Sequence, residues 1–183
     1  MKVMNATDVI DIEQAQTLYG LFRERLKRNP ENTAYRYYCT NTDKWIDVTW
    51  QQIGDEVALW QTALAQEQLE PGDRVALNLR NCKEWVIYDQ AVMGLGLILV
   101  PLYPDDRPDN VAYILKDADV KILYIQNISQ WKRLKPTLTE EHNLQRVVIN
   151  QSSDDVLEAP AVYTDDWLPS NSSGLLDGYT DPH

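Results

Sequence analysis

Cysteine is scarce: Cys39 and Cys82 are the only two in 183 residues, so no disulfide framework can be drawn from this chain. An acidic protein of this size without such a framework fits a reducing compartment, and the two thiols read as small, half-buried side chains rather than as a disulfide or a nucleophile. Long hydrophobic runs are also missing. The opening MKVMNATDVIDIEQAQ has no apolar stretch of the signal-peptide kind, so export is not expected. The longest apolar run, 91–102, is too short for a membrane span and is already divided between a helix end and a strand. Basic residues stop at Arg146, whereas acids continue through Asp154, Asp155, Glu158, Asp165, Asp166, Asp177 and Asp181. With a net charge of −11 and a pI near 4.5, the chain is poorly suited to nucleic acid or an anionic membrane as an electrostatic partner.

Catalytic signatures are equally thin. No G-x-S-x-G elbow is present, and Gly94-Leu-Gly96 has a helix before it and a strand after it, the reverse of a dinucleotide loop. Asn171-Ser-Ser-Gly174 has the composition of a phosphate loop, but no lysine follows it and no apolar strand precedes it, so it reads as a solvated linker. The pairs Asp105-Asp106, Asp154-Asp155 and Asp165-Asp166 offer oxygen ligands for a hard cation, yet adjacent loop acids are more often simply solvated. His142 and His183 have no Cys, Asp or His set at ligand spacing. No catalytic, cofactor-binding or metal-binding residue is assigned.

What is present is a soluble α/β pattern, with 44% hydrophobic residues, enough for one core, and no internal repeat. The stretch 70–104 organises it. Glu70-Pro71-Gly72-Asp73 is turn chemistry, Val75 to Leu79 a buried strand, and Asn81 to Glu84 a capping-box-like helix start. Trp85, Val86, Tyr88, Ala91, Val92 and Met93 then recur at helical spacing, with Trp85 expected to face the sheet, before a second buried strand at 97–100. Upstream, Leu18, Leu21, Phe22 and Leu26 predict an amphipathic helix, and 33–39 with 44–50 predict an antiparallel hairpin turning at Asn41-Thr42-Asp43. Thr49 to Gln52 matches a capping box opening a helix to about Gln68. Downstream come a short helix behind an acidic cap near Asp106, a strand at 121–125, a helix over about 130–138 interrupted by Pro136, and a buried strand at 146–149. Helical crossovers make the strands at 74–79, 97–100, 121–125 and 146–149 parallel. Residues 1–150 thus read as one α/β subdomain, an open, mostly parallel sheet with flanking helices and an N-terminal hairpin. Residues 151–183 read as a weakly ordered acidic linker anchored at Val162, Tyr163 and Trp167.

Four pieces in order resemble the N-terminal region of the AMP-forming acyl-CoA synthetases: Thr49 to Ile53, PGDRVA at 71–76, N-x-x-EW at Asn81 to Trp85, and VPLYP at 100–104. DRPDNVAYIL at 106–115 is similar to the long-chain fatty-acyl members. The resemblance covers roughly 17–150. It implies, for a parent enzyme, activation of a fatty acid with ATP to an acyl-adenylate, transfer to coenzyme A, and use of magnesium. The family's phosphate loop, of the form YTSGTTGxPKG, is absent, and the ending WLPSNSSGLLDGYTDPH resembles the linker that leads to it. The expectation is therefore an N-terminal scaffold fragment, inactive alone and partnered by the rest of its parent chain, cytoplasmic, with membrane association of the parent and a homodimer left open. The alternative is a free-standing, non-catalytic α/β binding module.

Overall fold

The computed structural model describes residues 8–39 and 42–179. Asn41 of the expected hairpin turn and His183 lie outside them. A short helix α1 (Ile12–Ala15), which the sequence reading did not place, leads into α2 (Leu18–Arg28), and the hairpin β1 (Thr33–Cys39) and β2 (Lys44–Thr49) follows, antiparallel as expected. Helix α3 (Trp50–Gln66) opens on a true capping box: Thr49 Oγ1 accepts from Gln52 N at 3.2 Å, and Gln52 Oε1 accepts from Thr49 N at 2.9 Å. Two orphan donors are thereby met by side chains three residues apart.

The remaining elements are β3 (Arg74–Asn78), α4 (Lys83–Gly94), β4 (Ile98–Pro101), α5 (Pro108–Asp117), β5 (Val120–Ile125), α6 (Ile128–Leu134), β6 (Arg146–Ile149), β7 (Ala161–Tyr163) and α7 (Thr164–Trp167). All five strands from β3 onward pair in parallel, in the order β4-β3-β5-β6-β7. Because successive strand residues face opposite sides, the sheet feeds two cores. Val75, Leu77, Ile122, Tyr124 and Val148 meet α2, α3 and α4 on one face, where Trp60 stands 5.2 Å from Tyr88 and 4.6 Å from Tyr124 between ring centroids. Ala76, Leu123, Ile125, Val147 and Ile149 meet α5 and α6 on the other.

Several local expectations shift. Strand β7 falls inside 151–183 and adds a fifth member to the sheet, with the anticipated anchors Val162 and Tyr163 paired to Val148 and Ile149. Strand β4 is a sheet edge rather than a buried strand, and Ile98 is 50% exposed. Helix α4 starts from Cys82, in extended conformation and without a side-chain cap, one residue beyond the Asn81 start. Its inward stripe is Ile87, Tyr88, Ala91 and Val92, which puts Trp85 at the margin of the core, half-buried instead of enclosed. Helix α2 buries Tyr19, Phe22 and Leu26, so Leu18 and Leu21 point outward. Helix α5 begins with Pro108 after Arg107, whose side chain caps nothing; Asp106 instead accepts from the Arg107 N–H at 2.8 Å. Helix α6 starts earlier than expected, capped by Asn127 accepting from Gln130 N, and Pro136 sits in a separate 3-10 turn, Lys135–Thr137.

Candidate functional site

The crossover after β3 runs through α4 on one face of the sheet, and that after β5 runs through α6 on the other. Since β3 and β5 are neighbours, their connections diverge at their carboxyl ends, and a crevice opens there, the usual place for a ligand in an open parallel sheet. It is a cleft of about 360 Å³ whose walls include Arg80 after β3, Pro104 and Asp105 after β4, and Gln126, Gln130 and Arg133 at β5 and α6.

A polar network holds these ends in register. Asn78, only 6% exposed at the last position of β3, accepts from Gln130 Nε2 at 3.0 Å, and its own amide donates to the Tyr103 carbonyl at 3.5 Å. Gln130 Oε1 in turn accepts from Gln126 N at 2.8 Å. One amide side chain thereby joins the termini of β3 and β5 to the start of α6. Above the network stand two guanidinium groups. Arg80 pairs with Asp105 at 3.3 Å, both well exposed, and the exposed Arg133 guanidinium makes no hydrogen bond or ion pair to another described residue. Two cations among amide donors suit an anionic oxygen cluster such as a phosphate.

Of the residues weighed in the sequence, Asp105 lines the cleft, and the others are placed elsewhere. Cys82 is half-buried at the start of α4, and burial, the largest influence, pushes its thiol up to about 11, which leaves it a poor nucleophile. Cys39 is half-buried in the hairpin and the two thiols are not joined. Asp106 accepts from Asn110 Nδ2 at 3.0 Å, Asp155 pairs with Lys132 at 2.7 Å, and Asp165 accepts from Ser152 at 2.6 Å, so these acids serve local ties. His142 accepts at Nδ1 from Thr139 N, which leaves Nε2–H to donate to the Ala112 carbonyl at 3.0 Å. Among the described residues no three His, Cys, Asp or Glu side chains gather as a metal site, and no helix is long and apolar enough to cross a membrane. Gly94 and Gly96 end α4 before β4, as their order in the sequence implies. Arg80, Arg133, Asn78 and Gln130 were not singled out from the sequence. Asn78 and Arg80 are polar residues at or just past the end of an apolar strand, whereas Gln130 and Arg133 lie within α6 and carry no such local signal.

Comparison with known proteins bears on this architecture. The Long chain acyl-CoA synthetase 1 of Arabidopsis thaliana is 26% identical over 159 residues, which is 83% of this chain and 24% of the plant protein. The Mycobacterium tuberculosis fatty acyl CoA synthetase superposes with a TM-score of 0.71 at 18% identity over 93% of this chain and 31% of its own. The Acetoacetyl-CoA Synthetase from Streptomyces lividans does so with a TM-score of 0.71 over 86% and 25%. The chain therefore spans about a quarter of the length of the plant relative, and at these identities the structural matches establish the fold. The family described as AMP-binding enzyme matches residues 22–177, from the middle of α2 past α7, taking in both helical faces and the whole parallel sheet with its carboxyl-edge cleft; the chain belongs to that family.

Proposed function

We propose that this chain is the N-terminal scaffold of a long-chain fatty-acid–CoA ligase, a part of an enzyme that activates a fatty acid with ATP and passes it to coenzyme A. The observation that carries the reading is the family match over 22–177 joined to a long-chain synthetase aligned with 83% of the chain. In this reading residues 1–150 support the substrate side of the parent, and 151–183 lead onward to its remaining segments. None of the parent's catalytic groups is assigned to this chain. The parent is placed in the cytoplasm.

Of the groups such an enzyme uses, coenzyme A fits what the cleft provides: it is rich in phosphate, and Arg80 and Arg133 are two cations not fully spent on neighbours. When bound it supplies the thiol that receives the acyl group. The role of this chain's residues is to hold a phosphate at the rim, with Arg133 the freer of the two guanidinium groups, while Asn78 and Gln130 keep the strand ends rigid beneath it. Among the described residues no three His, Cys, Asp or Glu side chains gather to hold magnesium by protein ligands alone.

The test is palmitate-dependent pyrophosphate exchange and thioester formation by the protein including whatever its reading frame encodes beyond His183. With Arg80→Ala/Arg133→Ala in that protein, KM for coenzyme A should rise about tenfold, the loss expected for a charge-assisted contact, while pyrophosphate exchange is unchanged. A protein that makes neither adenylate nor thioester favours the free-standing binding module. An unaltered KM removes the arginines from the reading.

A further inference from the structure

Helix α2 leaves Leu18 70% and Leu21 41% exposed although its other face is packed. With Met93 of α4 they border an open groove of about 320 Å³ between α2, α4 and the start of α3. One wall is aromatic and continuous: the Trp50 ring centroid lies 6.2 Å from that of Phe22 and 5.9 Å from that of Tyr35. The polar part of the lining is unusual. Asp89 is half-buried there, desolvation holds its carboxyl above the ordinary aspartate value against a smaller opposing pull from the Gln90 amide, and no Lys or Arg of the described residues pairs with it. Gln90 Nε2 donates to Asp89 Oδ2 at 3.3 Å, which fixes the amide so that Oε1 points away, and that oxygen is buried with no hydrogen-bond partner. Flipping the amide is no remedy, because it would set a carbonyl oxygen against the carboxylate. Arg25 borders the same groove but is committed elsewhere, donating to Asn29 Oδ1 and to the Asp8 carbonyl, each at 2.8 Å.

A half-buried carboxylate without a cation is costly. We propose that this groove is a binding site for a primary alkylammonium group, its N–H donors directed at the Asp89 carboxylate and its stem lying along Leu18, Leu21 and Met93. The aromatic wall favours a cation over a neutral alcohol. The carboxylate acceptor favours a cation with N–H groups over a quaternary one, and the net charge of −11 draws cations to the surface. The site shares no lining residue with the carboxyl-edge cleft and does not depend on the ligase reading. The same ammonium chemistry is carried by small free amines and by lysine side chains, and the test separates them.

The 183-residue chain is titrated with n-butylammonium, Nα-acetyl-lysine methylamide, tetramethylammonium and n-butanol while the indole N–H of Trp50 is followed by NMR. One or both primary ammonium probes should shift that resonance saturably and bind about tenfold or more tightly than the alcohol or the quaternary ion, the margin of a charge-assisted hydrogen bond. Asp89→Asn, which keeps the shape and removes the charge, should weaken them about tenfold. Met93→Ala, which trims the stem contact, should weaken them independently. Tighter binding of butylammonium assigns the site to a free amine, and tighter binding of the lysine derivative assigns it to a lysine of a partner protein. Saturation by neither primary ammonium, equal affinity for butanol, or an Asp89→Asn variant that binds normally would overturn the proposal.

Discussion

Glu67 joins three segments that are distant in sequence. Its Oε1 accepts from the Trp167 indole at 2.7 Å and from Arg146 Nε at 2.8 Å, and with only 11% of its side chain exposed it ties the end of α3 to β6 and α7. Removing it leaves a guanidinium and an indole N–H without an acceptor in a partly buried place. Glu67→Ala should therefore cost about 2–4 kcal/mol in urea unfolding, and a midpoint that does not move would contradict the role given to the carboxylate. Trp167 packs at 5.3 Å from Trp60, so its release should also shift tryptophan emission to the red. Asp89 has the opposite character. Burial disfavours its ionised form, so it titrates at higher pH folded than unfolded; its contribution is favourable below the ordinary value and is lost as pH rises through the folded one. Arg25 and Tyr35 line the same groove and leave that direction intact. Asp89→Asn should accordingly raise Tm at pH 7 without ligand, with the gain fading as pH falls to about 4, near the unperturbed aspartate value. An equal gain at both pH values would mean that packing, not charge, is responsible.

Helix ends show where an element is decided locally and where the tertiary structure decides it. A Cβ at Gly94 would lie 2.1 Å from Gln61 Nε2 and 2.7 Å from the Tyr19 ring, so only glycine lets α4 end against α2 and α3. Gly94→Ala should destabilise by about 1–3 kcal/mol, the range for forced overpacking, and should perturb the Tyr179 amide, which donates to the Gly94 carbonyl at 3.0 Å. An unchanged thermal melt would show that Gln61 and Tyr19 can move aside. The helix stop at Gly94 was legible in sequence, and so was the Thr49 capping box, because both partners of each signal sit within a few residues. The start of α4 was not, since Asn-x-x-Glu marks Asn81, whereas the helix starts from an extended Cys82 without a side-chain cap and leaves that capping pattern unused. The buried stripe of α2 was misread for a different reason. Apolar spacing favoured the leucines, whereas Tyr19 goes inside because Gln61 and the Leu176 carbonyl satisfy its hydroxyl. Strand β7 is three residues long, too short to show a period, and is defined by pairing with β6. Arg80 and Arg133 converge only through the strand order, which no local pattern contains.

At the scale of the whole chain, a five-stranded platform with helices on both faces positions groups at its carboxyl edge, and the scaffold reading leaves the chemistry of adenylation to other segments of the parent. Attack on an α-phosphate spreads negative charge over oxygens that need backbone N–H groups, a lysine and a metal ion already in place. The 17 Lys and Arg are dispersed among 28 acids, none follows Arg146, and among the described residues no glycine-rich turn carries a lysine into a helix. Among the described residues no cluster of acids, His or Cys offers a metal site. Losing a single preorganised donor costs about a hundredfold or more in rate, so a chain without the set should show no palmitate-dependent ATP–pyrophosphate exchange above background. Phosphate recognition at the cleft needs only Arg80, Arg133 and a rigid rim, so weak binding of coenzyme A should survive in the same sample. Exchange and ligand titration run in parallel on residues 1–183 separate the two properties. Exchange in this chain would overturn the scaffold reading, whereas coenzyme A binding without exchange, weakened by Arg133→Ala, would place substrate positioning here and adenylation outside these residues.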